Sequence, residues 1–212
     1  MPDAGAQRDL AVMYNQIADT VGRQGPIQEA SKLYLAALSI AARLTELDPG
    51  NATWARDLSV SYDRVGDILA KQAHWPDALR VYRAGLDVRK TLASADFGSS
   101  NRSLEYDVSV SLDRIGEALL AQGALPDALA SFRASLAIQN RLVGAEPNHP
   151  DWRRSLALTR GREAAVLERQ GARPAAVAAF QKGRALLLPL SDSTGATADL
   201  ALFDERLKAL EP

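Results

Sequence analysis

The chain has 212 residues, 25 basic and 26 acidic side chains, a formal net charge of −1 and no cysteine. Balanced charge without a basic stripe argues against nucleic acid as a partner, and the missing thiols exclude disulfides, thiol catalysis and thiolate metal sites. At 47% apolar and 24% charged, with helix formers abundant and β-branched runs absent, the composition is that of a folded, all-helical protein.

The first residues lack the apolar core of a signal peptide, and no apolar run approaches a membrane span, so a cytoplasmic location and no membrane partner are expected. In chain order, Asp9-Leu-Ala-Val-Met-Tyr14 opens a pattern that recurs as Asp57-Leu-Ser-Val-Ser-Tyr62, Asp107-Val-Ser-Val-Ser-Leu112 and Ser155-Leu-Ala-Leu158, at spacings of 48, 50 and 48. Repetition at tens of residues marks a stacked-repeat architecture. Four units are expected, over about 3–50, 51–100, 101–148 and 149–195, in one domain spanning 1–212. The outer two are the more degraded, as terminal repeats with one face unpartnered usually are.

Within the second unit Trp54, Leu58, Tyr62, Val65 and Leu69 fall on one helical face. Asn51 and Asn101 precede first helices and suit an N-cap. Gly25, Gly123 and Gly171 stand at helix ends where Ala73 stands in the second unit, and glycine enters the left-handed conformation there without steric cost. Pro76, Pro126 and Pro174 follow three residues later, at the first turn of a second helix. That helix carries Ala78, Leu79, Tyr82, Leu86 and Leu92 on its apolar side. A last segment, 197–210, places Leu200, Phe203, Leu207 and Leu210 on one face and is expected to cap the array.

These positions resemble the tetratricopeptide repeat. Tyr14, Ile17, Ala18 and Val21 follow its first-helix pattern, as do Tyr62, Val65, Gly66 and Leu69, then Leu112, Ile115, Gly116 and Leu119. The second-helix pattern of small, aromatic and small is met by Ala30, Tyr34 and Ala37, by Ala78, Tyr82 and Gly85, by Ala128, Phe132 and Ser135, and by Ala176, Phe180 and Gly183. The resemblance implies an all-α, right-handed α-solenoid of four helix–turn–helix repeats with a C-terminal capping helix. The period exceeds the family's usual length and looks like its long-repeat bacterial members. Arg160 and Glu163 replace apolar signature residues in the fourth unit, so its first helix is expected to pack loosely or face solvent.

The family binds peptides or helices in a concave groove lined by first helices. Carried over position by position, that groove would present Asn15 and Asp19, Asp63 and Asp67, Asp113 and Glu117, with Arg64, Arg114 and Arg162 beside them. Such a strip favours a basic protein or peptide. The same residues could instead form a ladder, Asp63 to Arg114 and Asp113 to Arg162, that sets the repeat pitch and binds nothing. Trp75 is either an exposed recognition aromatic or a local staple over its turn. His74 and His149 read as solvated loop residues without metal spacing, and no phosphate loop, nucleophile elbow or carboxylate pair suggests catalysis or a cofactor. A non-catalytic protein-interaction scaffold is therefore expected. The alternative is a regulatory or oligomerisation module of a larger bacterial signalling or effector protein, and self-association stays open.

Overall fold

The computed structural model describes residues 3–95, 102–191 and 194–210, and all regular structure among them is helical. Nine α-helices follow one another among these residues: α1 (Ala4–Gln24), α2 (Ile27–Leu47), α3 (Ala52–Lys71), α4 (Trp75–Ala95), α5 (Arg102–Ala121), α6 (Leu125–Ala145), α7 (Pro150–Arg169), α8 (Arg173–Leu187) and α9 (Thr194–Ala209). A short 3-10 turn, Leu188–Leu190, links the last two.

Side chains fix the helix starts. Asp3 accepts from the Gly5 N–H at 3.1 Å and Asn51 from the Trp54 N–H at 3.2 Å, satisfying donors that no earlier turn can reach. Asn101 lies outside the described residues. His149 is no solvated bystander: its Nδ1 accepts from the Trp152 N–H at 3.4 Å, and its ring stacks on that indole at 4.1 Å.

The predicted helix ends turn left-handed. Gly25, Gly123 and Gly171 have φ of 142°, 77° and 76°, and Ala73 is held at 59°. In three of these turns the next N–H reaches five residues back, from His74 to the Leu69 carbonyl, Ala124 to Leu119 and Ala172 to Leu167, each at 2.9 Å. That closure satisfies the last free carbonyls of the helix.

The chain divides into two compact units, Met1–Leu104 and Glu105–Pro212. In the first, α1 packs on α2, α2 on α3 and α3 on α4. Ala18, Ala30, Tyr34, Val65 and Ile68 form its buried cluster. In the second, α6 packs on α7, α7 on α8 and α8 on α9, while the Ser135 hydroxyl ties α6 to α5 by donating to the Ser109 carbonyl at 2.9 Å. This consecutive pairing is the packing of an α-solenoid. The last helix covers α8 with Phe203, whose ring meets Phe180 edge-on at 5.7 Å, and Leu200 and Leu207 join the same cluster.

Small residues set how close paired helices come. A Cβ on Gly66 would lie 2.3 Å from the Tyr82 ring, and one on Gly116 would lie 2.5 Å from Phe132. In these two repeats the aromatic of the second helix therefore lies against the backbone of the first.

The fourth repeat corrects one expectation. α7 is well packed, with Trp152, Leu156, Ala157, Ala164, Val166 and Leu167 buried. Glu163 itself is 7% exposed and meets Arg160 at 2.9 Å and Arg133 at 3.3 Å. A buried charge persists only when paired, and two guanidinium groups supply the pairing.

Candidate partner-binding face

The first helices place the expected residues in two kinds of surroundings. Asp63 lies inside unit one, where Arg89 donates to both of its oxygens at 3.0 and 2.6 Å. Asp113 lies inside unit two, 6% exposed, accepting from the Thr159 hydroxyl at 2.7 Å and from Gln139 Nε2 at 3.3 Å. Burial pushes the Asp113 carboxyl above its ordinary range, against the pull of Arg162 and the hydroxyls of Thr159 and Ser135. Neither carboxylate belongs to an open acidic strip.

The other members are half-buried or exposed, and several are neutralised. Asp19 accepts from the Tyr34 hydroxyl at 2.6 Å and pairs with Arg64 at 3.1 Å, both through Oδ1. Asp67 accepts from the Tyr82 hydroxyl at 2.8 Å. In unit two Arg162 bonds Glu117 and stands 3.8 Å from Asp113. Among the ion pairs between first helices, Asp19 thus joins Arg64 and Glu117 joins Arg162, and Arg162 also lies within ion-pair reach of Asp113, the partner expected for it. Arg114 sits half-buried on α5. Trp75, expected in a turn, is the half-buried first residue of α4.

A cleft of about 210 Å³ opens between α1 and α3 in unit one. Arg8, Val12, Asn15 and Asp19 line one side, Trp54, Asp57, Val60, Ser61 and Arg64 the other, and Ala41 and Leu44 of α2 also line it. Val12 and Val60 are 37% and 40% exposed, which gives the cleft an apolar strip. Arg8 pairs with Asp57 at 2.6 Å, so both ionic pairs bridge the two helices. Sequence reasoning named Asn15, Asp19 and Arg64 here but missed Arg8, Ala41, Asp57 and Ser61. Aligning second helices residue by residue would have found Ala41, because it stands where Arg89 and Gln139 stand in the next two repeats.

Among the described residues no cluster of three or more His, Asp or Glu side chains could hold a metal ion, and no helix is long and apolar enough to cross a membrane.

Comparison with known proteins agrees with this architecture. Residues 108–151 match the tetratricopeptide repeat, which supports assigning the chain to that family. Repeats of this class act typically as protein-interaction scaffolds. Among solved structures, the apo form of RapI superposes with a TM-score of 0.70 at 15% identity, over 92% of this chain and 46% of that one. BtubC (BKLC) from P. vanneervenii superposes with a TM-score of 0.62 at 13% identity, over 88% of this chain and 66% of that one. At such identities the likeness is one of fold, and the chain spans less than two thirds of either protein. No curated protein matches the sequence.

Proposed function

We propose that the chain binds an extended or helical segment of another protein on the face formed by its first helices, without catalysing a reaction. The observation that carries this reading is the cleft between α1 and α3. It combines exposed apolar side chains, Val12 and Val60, with polar groups that can fix a register, Asn15, Ser61 and the flanking ion pairs. Apolar contact supplies most of the affinity of such a face, and the polar rim selects among partners. A photo-cross-linking residue at Val60 is expected to trap a partner, whereas the same residue at Arg80, exposed on α4, is not. Trapping from Arg80 alone, or from neither position, overturns the reading.

A second reading, a regulatory or self-associating module, is favoured by α1. Leu10 and Ile17 are 41% and 47% exposed, yet their counterparts one repeat later, Leu58 and Val65, are buried. An unpartnered stripe of this kind suits a further helix. Light scattering over a concentration series tests it, and a constant monomer mass removes self-association.

A further inference from the structure

Each repeat has one pair of equivalent positions, 26 residues apart on its first and second helices, and their occupants differ along the chain. The four pairs are Asn15 with Ala41, Asp63 with Arg89, Asp113 with Gln139 and Gly161 with Leu187. In the second repeat the Arg89 guanidinium fills the slot and is held by Asp63. In the third, Gln139 Nε2 reaches Asp113, Ser109 and Ser155 at 3.3, 3.4 and 3.1 Å. In the fourth, the space that a Cβ on Gly161 would enter is held by the Phe203 ring of α9, 2.9 Å away, and Leu187 is fully buried. In the first the second-helix residue is alanine, too short to fill such a slot, and there a cleft opens, lined by Ala41, Asn15, Asp57 and Ser61.

Those lining residues are the repeat equivalents of Gln139, Asp113, Ser155 and Thr159, the polar groups that make the network in the third repeat. Asn15 donates through Nδ2 to Ser61 Oγ at 3.5 Å, in parallel with the contact between Asp113 and Thr159. Its Oδ1 is buried with no hydrogen-bond partner. A buried acceptor without a donor is costly, and a donor of the right reach would relieve it. Asp19 adds capacity, since both its partners fall on Oδ1.

We infer that this cleft is a socket for one arginine side chain of the partner, whose guanidinium takes the place that Arg89 takes in the second repeat and donates to Asn15 Oδ1. The volume suits a side chain rather than a cofactor, because sites for drug-sized ligands run to about 300–1,000 Å³. Planar guanidinium donors suit convergent oxygens better than a lysine ammonium does. The inference rests on the reading that the first-helix face binds protein, and it names the chemistry recognised there.

The test titrates N-acetyl-arginine amide into the full ¹⁵N-labelled chain, with N-acetyl-norleucine amide as the probe of similar length that lacks donors. Saturable shifts at the Asn15 side-chain amide, Ala41 and Ser61 are expected from the arginine probe alone. Asn15→Asp should tighten binding about tenfold, because the hydrogen bond becomes charge-assisted on both sides. Ala41→Arg should fill the socket from within and abolish the shifts. Ala41→Gln, built on the precedent of Gln139, serves if the arginine variant does not fold. Equal response to both probes, or undiminished binding in the folded Ala41 variant, overturns the socket. If the arginine probe fails while a cross-linker at Val60 still traps a partner, the socket alone falls. If both fail, the binding face falls with it.

Discussion

Arg89 donates to both carboxylate oxygens of Asp63 inside the hairpin of α3 and α4, with the two side chains 6% and 9% exposed. Removing one member of such a pair strands the other charge in low dielectric and typically costs about 3–5 kcal/mol, whereas replacing both with apolar residues is often near neutral. Arg89→Met should therefore lower stability by about 3 kcal/mol in urea unfolding. Asp63→Ala/Arg89→Leu, which replaces both charges with apolar side chains, should recover most of it. A cost below about 1 kcal/mol for the single variant would show the pair to be solvated.

Gly66→Ala and Gly116→Ala drive a methyl group into the Tyr82 and Phe132 rings. Overpacking of this kind costs about 1–3 kcal/mol. Gly144→Ala, in α6 with nothing near its added Cβ, should instead stabilise by about 0.5–1 kcal/mol. Thermal unfolding of the three variants compares them, and destabilisation by Gly144→Ala would contradict the open space there.

Among the described residues, the left-handed turn after α3 is the only one without glycine, with Ala73 at φ 59°. Holding alanine there costs about 1–2 kcal/mol. Ala73→Gly should raise the melting temperature and Gly123→Ala should lower it. Opposite signs at equivalent turns are the diagnostic outcome.

Tyr34 titrates late. Burial first, then the hydrogen bond to Asp19, pushes its hydroxyl up to about 12 from an ordinary 10.0. The folded state favours the neutral phenol, so the associated stability is fully present below the unfolded value of about 10 and is lost as pH rises towards about 12. Phenolate absorbance should show a late-ionising component that Tyr34→Phe removes. If the lost signal ionises near pH 10, the bond to Asp19 does not form in solution.

The helical pairs, the left-handed turns and the covering face of α9 were legible because each rests on a local rule: periodicity, glycine at a helix end, a small residue opposite an aromatic. Burial of Asp63 and Asp113 was not. α3 packs on α2 and on α4, so it buries Ser59, Ser61 and Asp63 as well as its apolar stripe, whereas an amphipathic reading assigns one face inward. Arg89 supplied the missing clue, as a charge on the second helix 26 residues beyond an acid on the first. Glu163 was misplaced for the same reason, since its partner Arg133 lies 30 residues away on α6.

The changing occupants of the buried slot also bear on how this chain avoids folding wrongly. Near-identical segments invite a first helix to dock against the second helix of the wrong repeat, a common failure of repeat proteins. With α8 in place of α4, Asp63 would meet Leu187 and lose the two hydrogen bonds that Arg89 donates to it. With α6 in place of α8, the slot of Gly161 would receive an amide that finds no carboxylate. Polar identity in the interior thus works as an address, making each helix recognise its own neighbour among close copies.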